Sequence, residues 1–351
     1  MLDRALSAQI AGLASGGDPD ERLPGDLDAW AARAEAEVGR FTGLEGGAAV
    51  PAPERVMREE WAEVNVDMMA EMLEPVTRRL EERISTSSGP FAGPLKTAAG
   101  ATIAAEVGLV VGYLSRRVLG QYELSLLGHE RAPRLLIVGS NVAGSAREMG
   151  VDGESFLAWI VLHEMTHAFQ FAGVPWLRPH LGELLEQYLA TVEVRIQRGS
   201  AGGLPSLPDR AKLVEAFREG GLAALVQTSE QRAIVDRVQA TMAVVEGYSE
   251  HVMDALGAQV VPEYEGLREA MERRRASRSA PERVLIRLLG LDLKLRQYEL
   301  GRRFCAEVAR LAGMEGLNRV WEGVETLPTL SELEAPAAWL ARVERERALS
   351  A

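Results

Sequence analysis

The sequence predicts a mainly helical α+β protein carrying one small β element. Apolar residues recur at helical spacing over most of the 351-residue chain. One run, RLLIVGSNV (134–142), has strand character: branched apolar residues, with Pro133 before it and Gly139 near its end. Shortly after it, residues 153–172 form an apolar helical segment into which two histidines and a glutamate are set.

The elements follow in order. Residues 1–50, rich in Gly, Asp and Ala around the helical patch DLDAWAARAEAEVGRF, are expected to be a loosely packed extension. Residues 51–351 are expected to be a single domain. It divides into a helical N-terminal part (51–130), the strand with the histidine-bearing helix (131–175) and a helical C-terminal part (176–351). PERVMREEWAEVNVDMMAEMLEPVTRRLEERI (53–84) has helical spacing, and Pro75 marks a break or kink. STSSGPFAGP (85–94) reads as a linker.

The next segment, AAGATIAAEVGLVVGYLS (98–115), is long enough to span a bilayer. It holds Glu106, is built on Ala and Gly, and ends in Arg116-Arg117, so a buried helix packed through small residues is expected instead. Beyond the strand, helical patterns cover 153–172, 180–198, 209–226, 229–256, 263–275, 282–312 and 335–347. Several end on stop signals: Gly173 with Pro175, Gly257 with Pro262, and Gly313. Trp321 and Trp339 read as core anchors.

Composition excludes several function classes. A net charge of −12 argues against a nucleic-acid binder, because phosphate contacts need clustered cations. The six arginines of REAMERRRASRSAPER (268–283) read as a solvated run. With Cys305 as its one cysteine the chain forms no intrachain disulfide, which fits a reducing compartment. The N-terminus lacks a basic stretch followed by a sustained apolar core, so no signal peptide is expected. The sequence therefore points to a cytoplasmic protein with neither nucleic acid nor membrane as partner.

The chemistry lies in WIVLHEMTHAFQF (159–171). Positions four apart on a helix project about 40° from each other, so His163 and His167 face the same way from successive turns. Both imidazoles can then reach one zinc ion at about 2.0–2.1 Å. Glu164, next to His163, can sit beside the metal without binding it and accept a proton from water. Around them Phe156, Leu157, Ile160, Val161, Leu162, Met165, Ala168 and Phe169 cover nearly every direction, so the helix should be buried. Burying two imidazoles and a carboxylate without partners would cost several kcal/mol, and a divalent cation satisfies all three.

A catalytic zinc takes a third protein ligand. The extended HExxHxxGxxH pattern would put a glycine three residues, and a histidine six residues, after the second histidine of the motif. This chain has Gln170 and Gly173 at those places, so that pattern does not apply. A carboxylate from a later helix is therefore expected, and Glu246 in TMAVVEGYSEHVMD (241–254) is the first choice. It lies at the edge of an apolar stripe, Gly247 beside it permits close approach of another helix, and Glu250 one turn on can support a ligand histidine. His251 falls on the far side, towards solvent. Glu186 and Glu183 in HLGELLEQYL are the rival ligands.

HEMTH with its bulky neighbours and preceding strand resembles the zincin superfamily of metallopeptidases, in its glutamate-ligand branch. HEMTHAFQFAGVPWLRPHL, MAVVEGYSEHVMD, GLDLKLRQYELGRRF and GLNRVWEGVETLPT together resemble an actinobacterial family of zincin-like hydrolases of unassigned substrate. That family is named for association with biosynthesis of a deazaflavin coenzyme (F-420). The resemblance covers about residues 50–345. It implies a zincin-like fold and a zinc site at His163 and His167 with Glu246, with Glu164 as base, and it supplies no substrate.

In zincins the strand before the active-site helix commonly forms a sheet edge that pairs with an extended peptide, and RLLIVGSNV is expected to take that role. The reading that follows is zinc-dependent hydrolysis of a peptide or other amide. Glu164 is the general base, and Tyr298 in LRQYELG donates to the oxyanion, with Tyr248 and His180 behind it. Two alternatives stand beside it. One is a zincin-like scaffold with a structural or vestigial zinc, and the other a hydrolase of a small-molecule amide or ester in cofactor metabolism.

Overall fold

The computed structural model describes residues 2–17, 22–45, 50–87, 92–127, 131–191, 228–276 and 291–350. The expected helix over 209–226 lies outside them, as do the end of 180–198, the first part of 282–312 and the end of the arginine run. Helix α1 spans Arg4–Ser15 and α2 spans Leu27–Thr42. Strand β1 (Pro53–Val56) leads into α3 (Arg58–Ser87) and α4 (Ala92–Ser115). Then come β2 (Gly120–Glu123), β3 (Arg134–Val138), α5 (Gly139–Met149), α6 (Gly153–Gly173) and α7 (Leu177–Thr191). The C-terminal part holds α8 (Ser229–Val260), α9 (Tyr264–Ala276), α10 (Leu291–Asn318), α11 (Leu330–Leu333) and α12 (Pro336–Ser350).

The three strands form one sheet in the order β1-β3-β2, with β1 parallel and β2 antiparallel to β3. This corrects the expectation for residues 134–142. The strand stops at Val138, α5 follows it, and β3 is the central strand rather than an edge. Its composition explains why. Leu135 and Ile137 enter the main core around α6, while Leu136 and Val138 enter a second core with Trp61, Val66, Val107 and Val111. A strand buried on both faces reads as a continuous apolar run, whereas an edge strand with one wet face alternates. Residues 53–56, expected as helix, pair with β3 instead, and α3 continues past Pro75.

Within the segment expected as a loose extension, helices α1 and α2 are packed against the rest. Ala31, Ala34 and Val38 of α2 lie in the main core, where α2 packs on α6. Helix α1 packs on α4, and Gly108 and Gly112 make the approach possible. A Cβ at Gly108 would lie 2.6 Å from the Ser7 carbonyl oxygen and 2.8 Å from Ile10 Cβ. Gly108 and Gly112 thus serve close helix contact, while the segment expected as a buried helix is only partly buried. Gly108→Ala is expected to push the helices apart and destabilise the protein by about 1–3 kcal/mol, measured by urea unfolding with the metal content unchanged.

Candidate metal centre

Helix α6 starts at an Asp152 cap. The carboxylate accepts the Ser155 amide N–H and the Ser155 hydroxyl, both at 2.7 Å, and these bonds hold its pKa below the usual carboxylate range. Phe156, Leu157, Val161 and Leu162 are fully buried around the helix. His163 and His167 therefore project from a rigid rod inside the core.

Helix α8 runs antiparallel to α6. Ser249 meets His163 while Val245, four residues earlier, meets Gln170. This packing delivers Glu246. The Nε2 atoms of His163 and His167 lie 3.2 Å apart, and Glu246 Oε2 lies 3.6 Å from His167 Nε2. Ligands at about 2.0–2.1 Å from a tetrahedral zinc stand about 3.3–3.4 Å apart, so both separations match an ion held between them. Ligand atoms of all three residues fall within 4.8 Å of one another.

The His167 tautomer is set from behind. Gln170 Nε2 donates to the Val245 carbonyl at 2.8 Å, which turns Gln170 Oε1 towards His167 Nδ1 at 2.9 Å. An amide oxygen only accepts, so Nδ1 carries the proton and Nε2 keeps its lone pair for a metal. His163 Nδ1 meets Ser249 Oγ at 3.1 Å. Burial opposes a charged His167, but the Glu246 carboxylate, then Glu164 and Gln170, outweigh it and hold its pKa pushed up to about 9. Without a cation, a proton on His167 offsets the charge of Glu246 and of the neighbouring Glu164.

Glu164 sits next to the trio but outside it. Its Oε2 accepts the Tyr122 amide N–H at 3.2 Å. Gly120 on the same strand leaves the room: a Cβ there would lie 2.7 Å from Glu164 Cγ. The edge strand that borders the centre is therefore β2.

The remaining expectations divide. Glu183 and Glu186 are exposed on α7 and stand apart from the trio, so neither closes it. Ser249 and Gln170 meet the Nδ1 positions of the two histidines, and Glu250 lines a cleft with Trp159, Asp254 and Arg302. Tyr248 is fully buried, and its hydroxyl donates to Asn318 Oδ1 at 2.8 Å, away from the centre. His180 lines a different cavity. His251 is half-buried against Phe41 rather than free in solvent. Tyr298 belongs to α10, but its side chain lies outside the described residues. Sequence reasoning missed Gln170, Ser249, Gly120 and Tyr122. Gln170 had a readable signal: it is a polar residue three positions after His167 on an otherwise buried helix. Replacing it should be costly. Gln170→Leu is expected to weaken zinc binding about 10–100-fold in a competition titration with a chromophoric chelator.

The model of a zincin-like metallopeptidase family matches residues 3–340. The chain belongs to the zincin-like metallopeptidase family. No curated protein matches it. A solved structure does: a proposed hydrolase with a novel fold from Chloroflexus aurantiacus, 30% identical, covering 98% of this chain and 99% of that one with a TM-score of 0.68. In this zincin-like chain, the trio of His163, His167 and Glu246 is the group that can hold the metal the family implies.

Proposed function

We propose that the protein is a zinc-dependent hydrolase of peptide or other amide bonds. One observation carries the reading: two imidazoles and a carboxylate whose ligand atoms lie within 4.8 Å of one another, with a second carboxylate held outside them. A zinc ion bound there supplies a Lewis acid and lowers the pKa of water towards about 7. His163, His167 and Glu246 hold it, and Ser249 and Gln170 fix the two rings. Glu164 takes a proton from the attacking water and returns it to the leaving nitrogen. Its bond to Tyr122 N–H aims the carboxylate while leaving the other oxygen clear of that contact.

The sheet edge supports an extended peptide as substrate. Leu119 O pairs with Val138 N, so the alternate residues Gly120 and Tyr122 turn their backbone groups away from β3. Tyr122 already directs its N–H at Glu164, and the outward carbonyls on this edge are free of the ladder to meet a substrate strand. Tyr298, in LRQYELG, is the proposed oxyanion donor on its sequence context.

Elemental analysis of purified protein is expected to find one zinc per chain, lost in His163→Ala. Profiling against a peptide library is expected to give cleavage that stops on chelation and resumes on adding zinc. Zinc-replete protein that cleaves no peptide but hydrolyses small amides or esters would move the substrate to metabolites. Zinc without any hydrolysis would favour a scaffold.

A further inference from the structure

Helices α7 and α8 and residues 324–331 border a second, open-mouthed cavity of about 570 Å³. His180 lines it, and the residue is 5% exposed. Its ring meets Trp176 edge-on at 6.1 Å, but the Trp176 N–H is spent on the Trp321 carbonyl. Among the described residues the His180 ring nitrogens take no protein hydrogen-bond partner, and they are not among the sealed polar atoms, so they are reached from the cavity. A ring nitrogen open to a cavity in that state is one a ligand can meet. At the mouth stands Arg237, exposed and without an ion pair among the described residues. Val324, Leu327 and Leu330 supply an apolar wall.

We infer that this cavity binds a small amphipathic monocarboxylate, its acid group between His180 and Arg237 and its apolar body against Val324, Leu327 and Leu330. Arg237 offers a fork of N–H donors that matches a carboxylate. Burial and the Arg237 charge hold the His180 pKa below its usual value against the pull of Glu183, so the ring is neutral and adds one N–H donor. Asp236 on the same rim disfavours a dianion, which selects a carboxylate over a phosphate ester. None of His163, His167 and Glu246 lines this cavity, and Arg237 precedes Glu246 by nine residues on α8, about 13 Å along the helix axis.

The test uses the full chain and N-acetyl-leucine as probe, followed by calorimetry. Wild-type protein is expected to bind the acid equally well with and without metal. N-acetyl-leucinamide, which lacks the charge, should bind about tenfold more weakly or worse, and Arg237→Gln should weaken binding of the acid by a similar factor. His180→Phe, which keeps a ring but removes both nitrogens, should also weaken it. Equal binding of acid and amide would overturn the proposal, as would an unchanged Arg237→Gln, an exposed variant that does not threaten folding. Binding lost on chelation would place the probe at the metal centre instead. No heat of binding in the millimolar range would also overturn it.

Discussion

Glu164→Gln is expected to lower kcat about 10²–10⁴-fold while leaving zinc content at the wild-type level. Glutamine matches glutamate in shape, and its oxygen can still accept the Tyr122 N–H, so the backbone bond that aims the side chain survives. Ligand spacing is untouched, because Glu164 lies outside the His163, His167 and Glu246 triangle. What is lost is the capacity to take and return a proton. Kinetics and elemental analysis on one preparation read the two effects separately. Wild-type turnover in this variant would remove Glu164 from the chemistry, and loss of zinc would reassign it as a ligand.

Gly247→Ala should be one of the most damaging methyl additions among the described glycines. A Cβ there would collide with the Gly301 carbonyl and the Arg302 amide nitrogen, and backbone cannot swing aside as a side chain can. Helices α8 and α10 would have to separate over the turn that carries Glu246. We expect a loss of about 3 kcal/mol in chemical unfolding, and zinc affinity falling with it as Glu246 leaves its place. Gly266→Ala on α9 is the control, because its added methyl meets nothing within 4 Å. Helix propensity alone then acts, and that variant should be about 0.5–1 kcal/mol more stable. Comparable destabilisation of both variants would show that close packing at Gly247 is not the cause.

The legible parts of the centre were the local ones. His163, Glu164 and His167 follow from a spacing of four on one helix, and the apolar residues around them announce its burial. The Gly247 contact was also readable as permission for close approach, although its partner was not. The four-residue strands were invisible for the opposite reason. PERV and GQYE are too short to show a period, and they are strands because β3 offers them backbone partners. The position of β3 was written in its unbroken apolar run, yet expecting an edge overrode that signal.

By itself, the sequence determined a helical rod bearing two imidazoles and a carboxylate in an apolar setting, because i and i+4 neighbours are set by the pitch of a single helix. Tertiary structure alone decided which distant carboxylate completes the trio, which side chains orient the rings and which strand borders them. Glu183, Glu186 and Glu246 are chemically equivalent at the level of composition. Only the antiparallel packing of α8 on α6 puts one of them 3.6 Å from His167.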